Sequence, residues 1–430
     1  MGTKAFAYDI AVPNADGVTI YYLWSNNNTE LSVTYSGQFG SYSGNVVIPE
    51  SIDYEGNTYN VTSIDMWSFR FCTGLTSVTI GNNVKTIGTY AFMLCENLTS
   101  ITIPSSVISF GSRAFQMCTS LNSIYISDLA AWCSRPPVDH PGIQHFYLND
   151  EEIKDLVIPS SVTSIGDDAF YSFWGLTSVS IPSSVTTIGV GAFAWCSNIT
   201  SAVIGNNVTT IGERAFHGCS NLTSITIGDN VTNIGEMAFC GCSGLTSVTI
   251  PNSVSSIGEY AFGDCCGLTS VTIPNSVISL DALLFVGCYN LTSITIGSGV
   301  TKIGSFAFKD CSSLTNVYCY AESVPTIDKS AFDGSNVGNA TLYVPNGTKH
   351  FYEHSDVWIK FKEIIELNAI KGDVTGDGKV TKEDITEVET EILEPSVVFD
   401  PNKDVNRDGV VNVADIVEVV NIINSHGQVR

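Results

Sequence analysis

Residues 245–267 read Leu-Thr-Ser-Val-Thr-Ile-Pro-Asn-Ser-Val-Ser-Ser-Ile-Gly-Glu-Tyr-Ala-Phe-Gly-Asp-Cys-Cys-Gly, and most of the chain is a variation on that stretch. Its leading position recurs as Leu75, Leu98, Leu121, Leu176, Ile199, Leu222, Leu245, Leu268, Leu291 and Leu314. Its phenylalanine recurs as Phe69, Phe92, Phe115, Phe170, Phe193, Phe216, Phe239, Phe262, Phe285, Phe308 and Phe332, with a common spacing of 23 residues. A fixed period of this size marks a solenoid, here of about eleven coils. Ser247 to Ile250 alternates polar and apolar, the period of a half-buried strand, with Val248 and Ile250 inward. Val254 and Ile257 add two further anchors. Gly258 permits a turn, and residues 259–262 suit one short helical turn. No coil buries these side chains alone; stacking sets like on like and makes the core continuous. At roughly 4.8 Å per strand, such a parallel sheet runs roughly 50 Å.

Of 430 residues, 44% are hydrophobic and 14% charged, a composition that folds and leaves a neutral polar surface. A net charge of −24 argues against nucleic acid or an anionic membrane as partner. No run of about 18 apolar residues is present to cross a membrane. The first ten residues hold no apolar signal core, so the protein is either cytoplasmic or exported with its leader already removed. Of 13 cysteines, nine stand three residues after a repeat phenylalanine: Cys72, Cys95, Cys118, Cys196, Cys219, Cys242, Cys265, Cys288 and Cys311. A ladder at one core position reads as small buried hydrophobes rather than a disulfide framework. Without a Cys-x-x-Cys pair it does not read as a zinc site.

Residues 1–45 lie outside the repeat. Strands are expected at 18–22 and 31–35, an antiparallel β cap over the first open coil. Residues 46–72 hold a first repeat stretched by a hairpin at 54–59. From Phe115 to Phe170 is 55 residues, two periods plus nine, and the surplus lies in 127–152. There, 128–132 reads as a helical turn and 146–148 as a segment rejoining the sheet. Insertions in solenoids are often binding loops, which makes Trp132 a candidate contact; packing on the coil edge is the alternative. Residues 348–365, with Tyr352, Trp358, Phe361 and Ile365 on a rough helical period, read as a capping helix.

The pattern Leu-Thr-Ser-Val-Thr-Ile-Pro-Asn-Ser-Val-x-x-Ile-Gly-x-x-Ala-Phe-x-x-Cys, quoted from residues 245–265, resembles the BspA-type leucine-rich repeat of bacterial surface proteins, over 46–335. The resemblance extends to the Ile126–Cys133 stretch and to Trp358 and Phe361. It implies a leucine-rich-repeat solenoid that binds host or microbial proteins or glycans, without catalysis, and it transfers no specific binding residues. The outward positions are mostly threonine, with Tyr125, Val203 and Tyr318 departing. After the repeat phenylalanine, Phe71, Met93, Leu94, Met117, Ala194 and Trp195 are apolar where other coils carry Gly, Asp or Lys. Exposed together they form a partner patch; packing against the insertion is the equal alternative.

The sharpest chemistry follows. Residues 372–384 read Gly-Asp-Val-Thr-Gly-Asp-Gly-Lys-Val-Thr-Lys-Glu-Asp, and residues 404–415 read Asp-Val-Asn-Arg-Asp-Gly-Val-Val-Asn-Val-Ala-Asp. Both fit twelve-residue calcium loops, in which hard oxygen ligands at positions 1, 3, 5, 7, 9 and 12 wrap one Ca²⁺. In the second these are Asp404, Asn406, Asp408, Val410 through its carbonyl, Asn412 and Asp415. In the first they are Asp373, Thr375, Asp377, Lys379 through its carbonyl, Thr381 and Asp384. Thr375 is a neutral hydroxyl, so the first site is expected to be the weaker. Each loop opens a helix: 383–393 with Ile385, Val388 and Ile392 inward, and 414–424 with Ile416, Val420 and Ile423 inward. Loop–helix, spacer, loop–helix resembles a type I dockerin over 371–430. That resemblance implies folding on calcium and docking to a cohesin domain, with Lys382, Glu383, Val413 and Ala414 at the partner-selecting positions. The two pairs differ, which puts symmetric two-way docking in doubt.

His350-Phe-Tyr-Glu353-His354 spells an inverted zinc-protease motif, but no catalytic domain surrounds it. The reading is three parts: an N-terminal β cap over 1–45, a repeat solenoid with its cap over 46–366, and a small all-α calcium module over 371–430. Together they make a secreted or cell-surface adhesion protein that is not an enzyme. A hydrolase using His350, Glu353 and His354 is the rival reading, and a calcium module serving only as an internal structural cap is the third.

Overall fold

In the computed structural model, residues 8–134, 142–367, 382–393, 403–406 and 411–427 are described. The chain is a β-solenoid of parallel sheets with few helices. It forms two compact units, Met1–Val208 with Gly212–Leu222, and Thr209–Ile211 with Thr223–Arg430.

In the first unit the cap is three antiparallel strands, Ile10–Pro13, Thr19–Ser25 and Glu30–Thr34. The last pairs in parallel with Asn57–Ile64 and so hands the cap over to the repeats. The expected hairpin is there: Ser51–Tyr54 pairs antiparallel with Asn57–Ile64. Its two turn residues, Glu55 and Gly56, have φ of 49° and 83°, the paired left-handed values a tight hairpin turn demands. Tyr42, 1% exposed, packs on Phe69 at 4.5 Å with its ring tilted by 34° and closes the end of the phenylalanine column.

Each regular coil contributes two strands. The longer is the alternating segment, as in Gly74–Ile80, Ser100–Ile103 and Ser123–Ile126, which stack in register with Val78, Ile101 and Ile124 inward. The shorter is the residue pair before the repeat glycine, as in Thr86–Ile87 and Ser109–Phe110. In the second unit Ser270–Ile273, Ser293–Ile296, Asn316–Cys319, Thr341–Val344 and Glu363–Glu366 form the longer sheet. Residues 245–250 keep the expected alternation, with Val248 and Ile250 buried, but do not pair as a strand. Burial needs only the alternation and the stacked coil; a ladder also needs both neighbours' backbone groups in register.

The expected helical turn at 259–262 is instead a pair of tight turns. Tyr260 and Asp264, two residues either side of Phe262, have φ of 60° and 55°. The same two positions are left-handed in coil after coil: Tyr90 and Leu94, Arg113 and Met117, Asp168 and Ser172. Left-handed residues break an α-helix, and here the amides point to the next coil. The N–H of Phe69 donates to the Ala91 carbonyl at 2.7 Å, and that of Phe193 to the Ala215 carbonyl at 2.7 Å. The residue before a repeat phenylalanine supplies the carbonyl of this third ladder and is buried, alanine in most coils and Leu284 in one. Successive phenylalanines then stack nearly parallel, Phe239 on Phe262 at 5.3 Å and 14°, Phe262 on Phe285 at 5.5 Å and 8°.

The cysteine ladder is buried as expected, and all 13 thiols are unbridged. It is more than hydrophobic filling. The Cys95 thiol donates to the Phe69 carbonyl at 2.9 Å, Cys196 to Phe170 at 2.9 Å and Cys265 to Phe239 at 3.2 Å. In the last repeat Ser335 stands at this position and its hydroxyl donates to the Phe308 carbonyl. The position favours a small donor, sulfur or oxygen; the exception is Phe173, in the coil that follows the insertion. Burial pushes the Cys72 thiol up to about 11 and those of Cys196 and Cys311 to about 12. Cys266 alone is partly exposed. A thiol reagent at neutral pH is expected to add one label to the native protein, at Cys266, and the remainder only after denaturation. Intact-mass analysis checks this; labelling of several ladder thiols before unfolding contradicts it.

The insertion resolves in favour of packing. Asp128 caps the helix Leu129–Ser134 by accepting from the N–H groups of Ala130 and Ala131 at 2.8 and 3.1 Å. His145–Leu148 rejoins the sheet beside Ser123–Ile126. Trp132, 4% exposed, is thereby removed from any partner surface. Its indole N–H donates to the Ala169 carbonyl at 2.8 Å, the bond that a preceding coil's phenylalanine makes elsewhere. Phe146 and Phe173 pack at 5.0 Å beside it and bridge the break in the phenylalanine column. The C-terminal cap is not one helix. Lys349–Glu353 is α-helical, Trp358–Lys360 is a 3-10 turn and Glu363–Glu366 is a strand. Residues 354–357 break the helix, so Trp358 and Phe361 pack edge-on against Phe332 at 5.8 and 5.4 Å. Ile365 is left 36% exposed on the strand.

Candidate functional site

The C-terminal module is two helices, Lys382–Leu393 and Val413–Gly427, packed through Val388 and Val419, with Val405 from the loop between them. Ile385, Ile392, Ile416 and Ile423 border this core as the helical period requires. Val420 does not: it is 36% exposed and Val419 is the buried residue, a correction of one position. The second helix presents Ile416, Val419 and Ile423 to the core. Val413, Val417 and Val420 then form a flanking stripe beside this face, at i, i+4 and i+7, and are 63%, 53% and 36% exposed.

Four of the six expected ligands of the second loop are described. Asp404 and Asp415, its first and twelfth residues, are 1% and 0% exposed. Asp415 draws the loop around itself: one carboxylate oxygen accepts from the Asn406 N–H at 3.0 Å, the other from the Asn412 N–H at 2.8 Å. Asn412 in turn caps the helix, its side-chain oxygen accepting from the Ala414 N–H at 2.7 Å. The backbone of positions 3 and 9 is thus drawn onto the side chain of position 12, with a buried carboxylate at each end of the loop. Buried carboxylates are costly unless a cation or several donors meet them, and an all-oxygen donor set suits a hard divalent ion. Asp408 and Val410 lie outside the described residues, as do Asp373, Thr375, Asp377, Lys379 and Thr381 of the first loop. The side chains of Glu383 and Asp384 are likewise outside them.

Lys403, next to the loop, was not singled out by spacing. Its ammonium meets Glu387 at 2.9 Å and Glu391 at 3.2 Å, tying the loop entrance to the first helix. Burial opposes its charge, but the two carboxylates outweigh that and hold Lys403 above the ordinary lysine range. A lone lysine before the first loop aspartate, with glutamates at i and i+4 on the preceding helix, is the sequence signal for it.

On the solenoid, Trp195 is 47% exposed, lies edge-on to His217 at 4.9 Å, and overlies Gly218. A methyl group on Gly218 would come 2.7 Å from its indole. Phe71 and Met117 are exposed too, but Ala194 is buried, and Met93 and Leu94 are half-buried, so the apolar positions do not form one surface. Tyr125 stands half-exposed on the outward sheet face, stacked on Tyr147 at 4.3 Å. The protease-like motif does not assemble: Glu353 pairs with Lys349 at 3.8 Å, the His350 ring packs on Phe351, and His354 bonds the His350 carbonyl. Among the described residues no helix is long and apolar enough to cross a membrane.

Comparison with known families agrees with this anatomy. The BspA type leucine rich repeat region matches residues 50–131, 142–265 and 232–355, and the dockerin type I domain matches residues 371–424. Neither description names an enzyme. Similar solved structures include a leucine rich cell surface protein from Faecalibacterium prausnitzii, with 24% identity over 72% of this chain and 94% of that one, at a TM-score of 0.42. A leucine-rich repeat protein from Bacteroides ovatus shares 25% identity over 75% and 99%, at 0.36. The pneumococcal vaccine antigen PcpA shares 17% over 84% and 99%, at 0.46. No curated protein sequence matches the chain.

Proposed function

The chain belongs to the BspA-type leucine-rich-repeat family and carries a C-terminal type I dockerin domain, and on that premise we propose that it is an exported or cell-surface adhesion protein with two binding ends. The solenoid recognises a protein or glycan. The dockerin domain, folded on calcium, attaches it to a cohesin-type partner. Both families are typical of extracellular or surface proteins, where calcium is millimolar.

The observation that carries this reading is the buried pair Asp404 and Asp415, with Asn406 and Asn412 drawn onto Asp415. Asp404, Asn406, Asp408, the Val410 carbonyl, Asn412 and Asp415 would hold one calcium ion. Asp373, Thr375, Asp377, the Lys379 carbonyl, Thr381 and Asp384 would hold a second, weaker one. Bound calcium would supply positive charge to offset these carboxylates. The docking face is then the valine stripe Val413, Val417 and Val420, with Ala414 beside it. Lys382, at the equivalent place on the first helix, is exposed and charged, which favours docking by the second helix alone.

The full-length protein, immobilised in calcium, is expected to capture one cohesin-type protein from the extract of its source cells. Chelator and the double variant Val413→Asp, Val417→Asp are each expected to abolish that capture. Capture that survives both treatments removes the docking role.

A further inference from the structure

The longer sheet of the first unit carries an outward column of Val47, Thr79, Thr102, Tyr125 and Tyr147, paired in register. Neighbours in such a column stand about 4.8 Å apart, so the change from threonine to tyrosine raises a step on a flat shelf. The Tyr125 and Tyr147 rings lie 4° from parallel with centroids 4.3 Å apart. Stacked along the column, one ring face of Tyr125 is covered by Tyr147 and the other looks onto Thr102. A groove of about 460 Å³ runs along the ends of these strands and is lined by both Thr102 and Tyr125, within the range of small-ligand sites. Ile103, Pro104 and Ile126 line its apolar part, and Glu50, Asn82 and Asp150 its polar part. The Asn82 amide donates to the Glu50 carboxylate at 2.7 Å, which orients both. Among the described residues no lysine, arginine or histidine lines it.

From this geometry we infer that the groove is a binding site for a neutral oligosaccharide, with a pyranose ring laid by its C–H face against Tyr125. An aromatic face supplies the apolar contact a sugar ring needs. Carboxylates and an amide supply acceptors and donors for its hydroxyls. Two carboxylates without a facing cation repel sialylated, sulfated or uronic chains. The second unit has a similar tyrosine pair, Tyr318 and Tyr343 at 4.6 Å. Tyr318 is only 3% exposed and packs with Tyr320 and Leu367, so it offers no face. The inference rests on the reading of the solenoid as the ligand-binding end, and not on docking.

The test is affinity electrophoresis of the full-length protein in gels containing xylan, mannan, laminarin, arabinogalactan or, as the anionic control, polygalacturonate. The expected result is retardation by at least one neutral polysaccharide and none by polygalacturonate. Tyr125→Ala is expected to weaken the retardation about tenfold with an unchanged melting temperature, and Tyr125→Phe to retain it. The Val413→Asp, Val417→Asp protein is expected to bind glycan normally, so that failure of docking and failure of this site are seen separately. No retardation by any neutral polysaccharide, or equal retardation of Tyr125→Ala, overturns the inference. Retardation by polylysine alone, lost in Glu50→Gln with Asp150→Asn, overturns it in favour of a basic peptide ligand.

Discussion

Chelation of calcium is expected to unfold the two C-terminal helices while leaving the repeats folded. The module's core is three buried valines and a few half-buried isoleucines, and a domain of about 60 residues seldom draws more than roughly 3–5 kcal/mol from such a core. Calcium at a thousand times its dissociation constant adds about 4 kcal/mol, as much as the rest of the module together. Without the ion, the loop's clustered carboxylates repel one another, which favours opening the loop. Most of the α-helix among the described residues lies in Lys382–Leu393 and Val413–Gly427, so far-ultraviolet circular dichroism of the full chain reads this module selectively. Asp415→Ala removes a ligand and also the acceptor of two loop amides, each such charge-assisted bond being worth about 1.5–3 kcal/mol. It is expected to abolish binding at the second site and leave the first titratable by calorimetry. Helicity unchanged in excess chelator, or two intact sites in Asp415→Ala, refutes calcium-driven folding.

What was legible in the sequence follows from how local its cause is. Inward and outward positions are set by alternation along one coil, and the column of phenylalanines by a period, so both are readable without the structure. The calcium loops are readable for the same reason: their ligands come from one twelve-residue segment. The turn around Phe262 is set partly by its neighbours. Gly218, Gly241, Gly287 and Gly334 at the same position signal a left-handed backbone that a helix does not tolerate. The cysteine ladder depends on a carbonyl 26 residues earlier, and only Ser335 in the last coil hints that a donor is wanted. Trp132 depends on the carbonyl of Ala169, beyond the insertion, an acceptor that in other coils takes a phenylalanine N–H. On the second helix the inward residue is Val419 rather than Val420, because either valine completes a helical stripe with Ile416 and Ile423.

The same stacking makes the solenoid vulnerable at its centre. Phe262→Ala is expected to destabilise the second unit by about 3–5 kcal/mol, the range for emptying a fully buried phenylalanine site. Two near-parallel ring contacts are lost with it, to Phe239 and Phe285, each adding about 0.5–1.5 kcal/mol. The third ladder prevents collapse into the void, because the Phe262 N–H remains bonded to the Leu284 carbonyl at 3.1 Å and fixes the coil spacing. In a solenoid each coil is stabilised chiefly by its two neighbours, so weakening one central coil uncouples the coils on either side. Urea unfolding of Phe262→Ala is therefore expected to broaden or split into two transitions, with early proteolytic cleavage near residue 262. Phe332→Ala, at the column's end, keeps the cap contact between Trp358 and Tyr352 at 5.6 Å and is expected to preserve a single transition. Thr249→Ala, on the solvated face, is expected to change stability by less than about 0.5 kcal/mol. If Phe262→Ala and Thr249→Ala unfold at the same urea concentration, the phenylalanine column does not hold the coils together.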